Sequence, residues 1–180
     1  MKRWKHILIA FVPSLIGFAL NYSFFLSVGL FSLFFTLSPF AVLFIWGFTG
    51  HQFAKWKTSM PYAILVANSV GILSLLLYIW QFVRLVVNEI QPTWLSSFSL
   101  MFSDPIAILS TGIVLPFRHV IESEPNFIGS ATALWIQIAG LVIMLLVFTL
   151  GFILGKIRSK LQLRKSPLAQ DLENADSDGI

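Results

Sequence analysis

Long uncharged runs alternate along this chain with short basic clusters, and that pattern predicts its elements. Residues 7–50 contain no Asp, Glu, Lys, Arg or His. A helix needs about 20 residues to cross a hydrocarbon core of ~30 Å. The run of 44 residues therefore predicts two spans, 7–26 and 31–49, turning near Ser27, Val28 and Gly29. Pro13 and Pro39 predict kinks, which membrane helices tolerate when neighbours satisfy the freed carbonyls. A third span is expected over 62–83, after Pro61, and a fourth over 130–155. The fold class expected is an all-α integral membrane protein: a four-transmembrane-helix bundle with short interfacial or re-entrant helices in its outer loop. Residues 1–155 form the membrane domain, with 84–129 as the outer loop, and 156–180 form a tail, basic and then acidic.

The stretch 97–117, "SFSLMFSDPIAILSTGIVLPF", is apolar enough to imitate a fifth span. Charge placement argues against it. With four spans and the N-terminus inside, the clusters Lys2–Lys5, Lys55–Lys57 and Lys156–Lys165 all face the cytoplasm, ten of the twelve Lys and Arg. Only Arg84 and Arg118 face outward. A fifth span would put the last five basic residues outside, against the positive-inside rule. Asp104-Pro105 is also a helix-start signal, because Asp can cap and Pro suits the first helical position. It predicts two short helices, about 93–103 and 105–111, lying in the outer interface or dipping in as a re-entrant pair. The aromatic residues fit this layout, with Trp4, Trp46, Trp56 and Tyr62 at the inner boundary and Trp80, Trp94, Trp135, Tyr22 and Tyr78 at the outer one.

Helices in lipid associate through small residues and a few polar contacts. Each expected span carries such a seam. They are Ala10, Ser14, Gly17 and Asn21; Ser32, Thr36 and Pro39, with Gly47 and Gly50; Ala63, Ala67, Gly71 and Ser74; and Ala133, Gln137, Gly140, Met144, Val147 and Gly151. A GxxxG at Gly151 and Gly155 serves either packing within the chain or a homodimer.

Composition agrees with lipid as solvent. The chain is 57% hydrophobic and 11% charged, where a soluble domain carries about a quarter charged residues. The basic start followed by "ILIAFVPSLIGFAL" imitates a signal peptide, but no small-x-small site with a polar start follows, so it reads as the first span. The absence of cysteine excludes disulfides, thiol catalysis and thiolate metal sites. Lys156, Arg158, Lys160, Arg164 and Lys165 read as a cluster that meets anionic headgroups at the cytoplasmic face. The segment "AQDLENADSDGI" after it reads as a disordered acidic tail; its last seven residues imitate the start of an EF-hand loop but lack the closing Glu.

Little chemistry is on offer. No Walker loop, G-x-S-x-G or H-E-x-x-H occurs. His119, Glu122 and Glu124 are too few for a supported metal site and read as loop charges; His51 reads as an interfacial residue. No ionisable side chain falls at mid-span, which disfavours a proton-coupled carrier. No cofactor and no metal are expected. The stronger polar groups cluster in the outer half, and the candidate site is a vestibule lined by Asn21, Thr36, Gln81 and Gln137 under the Asp104 turn. The competing account is that these groups simply bond one another between helices. Asn68 is the exception, in the inner half of the third span.

These features imply a small multi-pass protein of a bacterial cell membrane without enzymatic activity. It would act through contacts with lipid, another membrane protein or a second copy, as accessory, regulatory and immunity-type proteins do. A nucleic-acid partner is not expected. The alternatives are a transport component, such as a permease or substrate-binding subunit, and an enzyme acting at the outer face through Asp104, His119 or Glu122. The topology has a direct check: reporter fusions after residues 55 and 170 should read cytoplasmic and one after 105 external. A cytoplasmic signal at 105, or an external one at 170, overturns it.

Overall fold

The computed structural model describes residues 8–56, 58–86, 99–121 and 129–177, with side chains in the last helix described as far as Leu161. Among these residues every regular element is helical. The helices are α1 (Val12–Leu26), α2 (Val28–Lys55), α3 (Met60–Ala67), α4 (Ser69–Val86), α5 (Ala107–Val114), α6 (Arg118–Ile121) and α7 (Ser130–Ser177). Short 3-10 turns at Asp104–Ile106 and Leu115–Phe117 flank α5. Three stretches are long and apolar enough to cross a membrane: Phe31–Lys55, Asp104–Ile121 and Ala131–Leu161. The pair α3 and α4 makes a fourth if counted as one bent span. The first apolar helix, Leu8–Ser23, is shorter.

The expected turn near Ser27 is a single extended residue, with φ −168° and ψ 135°, and α2 starts at once at Val28. Pro13 sits at the start of α1, where a missing N–H costs nothing; the turn before it closes with Phe11 N–H donating to Leu8 O. Pro39 lies inside α2. It removes the donor that Phe35 O would otherwise have, and the neighbouring Ser38 hydroxyl stands 3.5 Å from that oxygen. α2 also extends past the expected 49 to Lys55, which puts His51 on the helix.

The spine of the molecule is α2 against α7. The two run parallel: Gly47 O faces Gly151 and, four residues on in both helices, His51 O faces Gly155 beside the Ala54 methyl, while Gly50 sits between Phe148 O and Phe152 N. A Cβ on Gly50 or Gly151 would run into the facing carbonyl. The expected GxxxG seam is therefore used within the chain. Along this seam Val42, Trp46, Phe53, Met144, Phe148 and Phe152 are buried. The Trp46 ring stands 6.1 Å from that of Phe148, and Phe53 stands 5.5 Å from Phe148.

Trp46 is fully buried at the centre of this core and not part of a lipid-facing belt. The reason is Asn68. The expected third span breaks there, with a 55° bend between Met60–Ala67 and Ser69–Val83. The Asn68 amide donates to Ile64 O at 2.9 Å, and its Oδ1 accepts the Trp46 indole N–H at 3.2 Å. One amide side chain thus satisfies the buried indole N–H and gives Ile64 O a second donor beside the Asn68 backbone N–H.

Outside this core the surface is apolar. Leu15, Phe18, Phe40, Phe44, Leu65, Leu76, Leu146 and Leu150 are all more than half exposed. Exposed apolar area on this scale marks a surface meant for lipid or protein rather than water. The acidic half of the tail, expected to be disordered, is helical to Ser177 as the continuation of α7. Extending an existing helix needs no new nucleus, and the tail is rich in Leu, Ala, Gln and Lys.

The glycine contacts generate a paired prediction. Gly151→Val should destabilise the protein by about 1–3 kcal/mol, the usual range for overpacking. A Cβ at Gly112 would meet nothing within 4 Å, so Gly112→Ala should stabilise α5 by about 0.5–1 kcal/mol. Melting in detergent checks both; equal melting of the two variants would contradict the seam.

Candidate functional site

The site gathers around residues 99–106, which enter the helix cluster as a helix end at 99–100, a turn at 101–103 and the 3-10 turn Asp104–Ile106. Their insertion requires space, and three glycines from three helices provide it. Gly17 of α1 lies against the Met101 backbone carbonyl, Gly71 of α4 against the Phe102 ring, and Gly140 of α7 against Ser103 and Ile106. A Cβ on Gly17 or Gly71 would occupy the space those groups fill. Phe102 reaches deepest, edge-on to Trp46 at 6.3 Å. Phe102 and Ile106 are buried, as are Ser99, Ser103 and Pro105.

Irregular backbone at membrane depth is tolerated only when its polar groups find partners in protein or cavity water. Here four helices supply them. From α1, Asn21 Nδ2 donates to Asp104 Oδ2 at 2.7 Å, and also reaches Gly17 O at 3.1 Å. From α2, the Ser38 hydroxyl donates to Pro105 O at 2.9 Å. From α4, the Ser74 hydroxyl donates to Ser99 O. From α7, Gln137 Oε1 accepts the Ser103 hydroxyl. Gln81 of α4 is buried beside them, its Oε1 3.5 Å from Ser99 Oγ, at the outer limit of a hydrogen bond, and its Nε2 without a partner among the described residues.

The segment then turns back. Ile106 lies on Gly140, while Val114, Phe117 and Ile121 line a cleft with Trp135, Ile138 and Val142. Ser110, buried on α5, returns its proton to Ile106 O and Ala107 O, each at 3.2 Å.

Of the residues expected to line a vestibule, Asn21, Gln81, Gln137 and Asp104 come together around the inserted segment. Thr36 does not. It is exposed, and its hydroxyl bonds Ser32 O one turn back at 2.9 Å. Ser38 takes its place; two residues apart on a helix means about 200° apart around it, so only one of the two can face inward. Nothing local in the sequence singles out Ser38, whose polarity is modest and which stands beside the more conspicuous Pro39. Ser74, expected on the packing seam, lies there and bonds the segment as well. The packing residues Gly17, Ala67, Gly71, Gly140, Gly151 and Gly155 are all buried. Lys156, Arg158 and Lys160 lie just past the middle of α7, with Lys156 Nζ 5.5 Å from the Phe152 ring centroid. The side chains of Arg164 and Lys165, and residues Lys2, Arg3, Lys5, Lys57, Trp94, Glu122 and Glu124, lie outside the described ones. His119 is exposed on α6.

Comparison with protein families, with curated proteins and with solved structures gives no match. The residues and their geometry carry the functional reading alone.

A double-mutant cycle tests the arrangement. Ser103→Ala and Gln137→Leu should be coupled by about 0.6 kcal/mol, the mean for polar pairs between membrane helices. Thr36→Ala, made as a control, should show no coupling to Gln137→Leu in the same melting experiment.

Proposed function

We propose that this chain is a multi-pass protein of a cell membrane, with both termini in the cytoplasm, that works by contact with lipid or with another membrane protein and not by chemistry in its interior. The observation that carries this reading is where the polar groups are spent. Asn21, Ser38, Ser74 and Gln137 each bond the inserted segment 99–106. They fasten structure, and the space between the helices is filled by Trp46, Phe53, Phe102, Ile106, Met144 and Phe148. What remains for function is the surface: an apolar flank and a basic end. The same accounting favours residues 99–121 as a re-entrant unit, since Ser99 adjoins Gln81 late in α4 and Ile121 lies near Trp135 early in α7. Those positions mark one end of the bundle. An accessory, regulatory or immunity-type role suits this build.

A second reading is a transport component. It draws on the break at Asn68 and on the buried Gln81 Nε2, unpartnered among the described residues, since discontinuous helices and free polar groups at depth are how such proteins hold substrates.

Complementation of a deletion strain separates the two. On the first reading, Gln137→Leu lowers the melting temperature while Gln81→Leu, which removes a buried amide unsatisfied among the described residues, does not, and the phenotype is restored wherever the protein accumulates. Loss of the phenotype by stable, normally accumulating Gln81→Leu protein would replace the first reading with the second.

A further inference from the structure

At the basic end of the spine, α2 and α7 separate around a cleft of about 280 Å³. Its walls are Lys55 and His51 from α2, Arg158 and Ser159 from α7, and Phe48 below them; Gly155 forms its floor. The helices are still close at Gly155, where His51 O and the Ala54 methyl leave no space for a side chain. That close approach brings the two cations, from different helices, into one pocket. Lys55 and Arg158 are both exposed, and among the residues whose side chains are described the sole carboxylate is that of Asp104, held by Asn21. No described acid neutralises the pocket.

The cleft does not end at Phe48. Phe48 and His51 also line a groove of about 360 Å³ that continues along the same seam toward the middle of the spine. This groove is apolar, bounded by Leu43, Phe44, Val147, Leu150 and Leu154. It exists because Gly47 and Gly151 present no side chains there. A pocket of two cations, a hydroxyl and an imidazole thus opens directly onto an acyl-sized furrow on the lipid-facing flank. The combination matches an amphiphile with a phosphate at one end and a hydrocarbon chain at the other.

We infer that the α2–α7 seam is a binding site for one anionic phospholipid. Its headgroup phosphate sits between Lys55 and Arg158, with Ser159 and His51 as further donors, and one acyl chain lies in the groove over Gly47 and Gly151. Basic pockets between helices at the cytoplasmic face are a recognised way to hold such headgroups. A soluble phosphate would use the pocket but not the groove. The inference rests on the membrane reading above, and it does not depend on whether the protein is accessory or a transport component.

The test uses the full chain in nanodiscs or released from them for native mass spectrometry, with phosphatidylglycerol and phosphatidylcholine as probes. Wild type should retain phosphatidylglycerol in preference. Lys55→Gln with Arg158→Gln should weaken that retention by about twenty-five-fold, taking each cation near the surface as about fivefold. Both side chains are exposed, so melting should be unchanged. Gly47→Leu fills the groove from a position where a Cβ meets only Val147 at an ordinary 3.6 Å; it should also reduce retention, with the cations intact. The inference is overturned if phosphatidylcholine is held equally, if the cation pair can be removed without effect, or if inorganic phosphate or glycerol 1-phosphate displaces the lipid and Gly47→Leu changes nothing. Membrane extraction of the same variants keeps the two readings apart: variants that stay in the membrane yet retain phosphatidylglycerol as wild type does refute this site alone, whereas wild-type protein that is extracted without detergent refutes the membrane reading.

Discussion

Close approach of backbone to backbone is the constraint on which the rest of this structure depends. Lipid tails compete for apolar side chains on equal terms, so burial of leucine gives helices in a membrane no reason to associate. What remains is van der Waals contact at short range, and that needs positions without side chains. The chain places glycines at each such point. Gly50, Gly151 and Gly155 let α2 and α7 touch along one seam. Gly17, Gly71 and Gly140, on three other faces, admit Met101, Phe102 and Ser103. The first set makes the spine and the second makes the socket. Large side chains then fill the spaces that the glycines define: Phe148 and Phe53 along the seam, Phe102 and Ile106 at the socket.

Inserting this broken segment among the helices raises a second demand, that its carbonyls and hydroxyls have partners. The chain answers with short polar side chains one per helix: Asn21, Ser38, Ser74 and Gln137. Asn68 meets the same demand at the bend of the expected third span, capping Ile64 O and holding the Trp46 indole. Each bond is modest, about 0.6 kcal/mol on average in this setting. Their larger role is to fix register, because an unmet polar group at that depth costs several kcal/mol. Thr36, which bonds its own helix at Ser32 O, shows how a polar residue can face outward without that cost.

The two ends of the spine divide the work. At one end the α2–α7 pair supports the socket and the inserted segment. At the other the same pair, held together at Gly155, presents Lys55 and Arg158 side by side. One physical device, a seam of residues too small to separate the helices, produces both the tight packing and the furrow beside it. The helices meet at Gly47 and Gly151, and because neither residue has a side chain the exposed flank beside that contact sinks into a groove.

The sequence alone determined the helical class, the apolar stretches near 31–49, 62–83 and 130–155, the turn at Ser27, the break at Asp104 and the small residues of the seams. These follow from composition, periodicity and local punctuation, which act over a few residues. It also picked out Asn21, Gln81, Gln137 and Asp104 as belonging together, because few polar groups are present and their depth can be counted. It could not decide which side of a helix faces inward when apolar residues surround it, since in lipid both faces look alike. Hence it pointed to Thr36 rather than Ser38, and to a lipid-facing belt for Trp46. It could not show that the expected third span bends at Asn68, because a single buried amide carries no local signal of a break. The partner of each glycine, the shared pocket of Lys55 and Arg158, and the bonds of Ser103 and Ser99 were settled only by tertiary structure. Each joins residues far apart in the chain, and only the packing of whole helices brings them within reach.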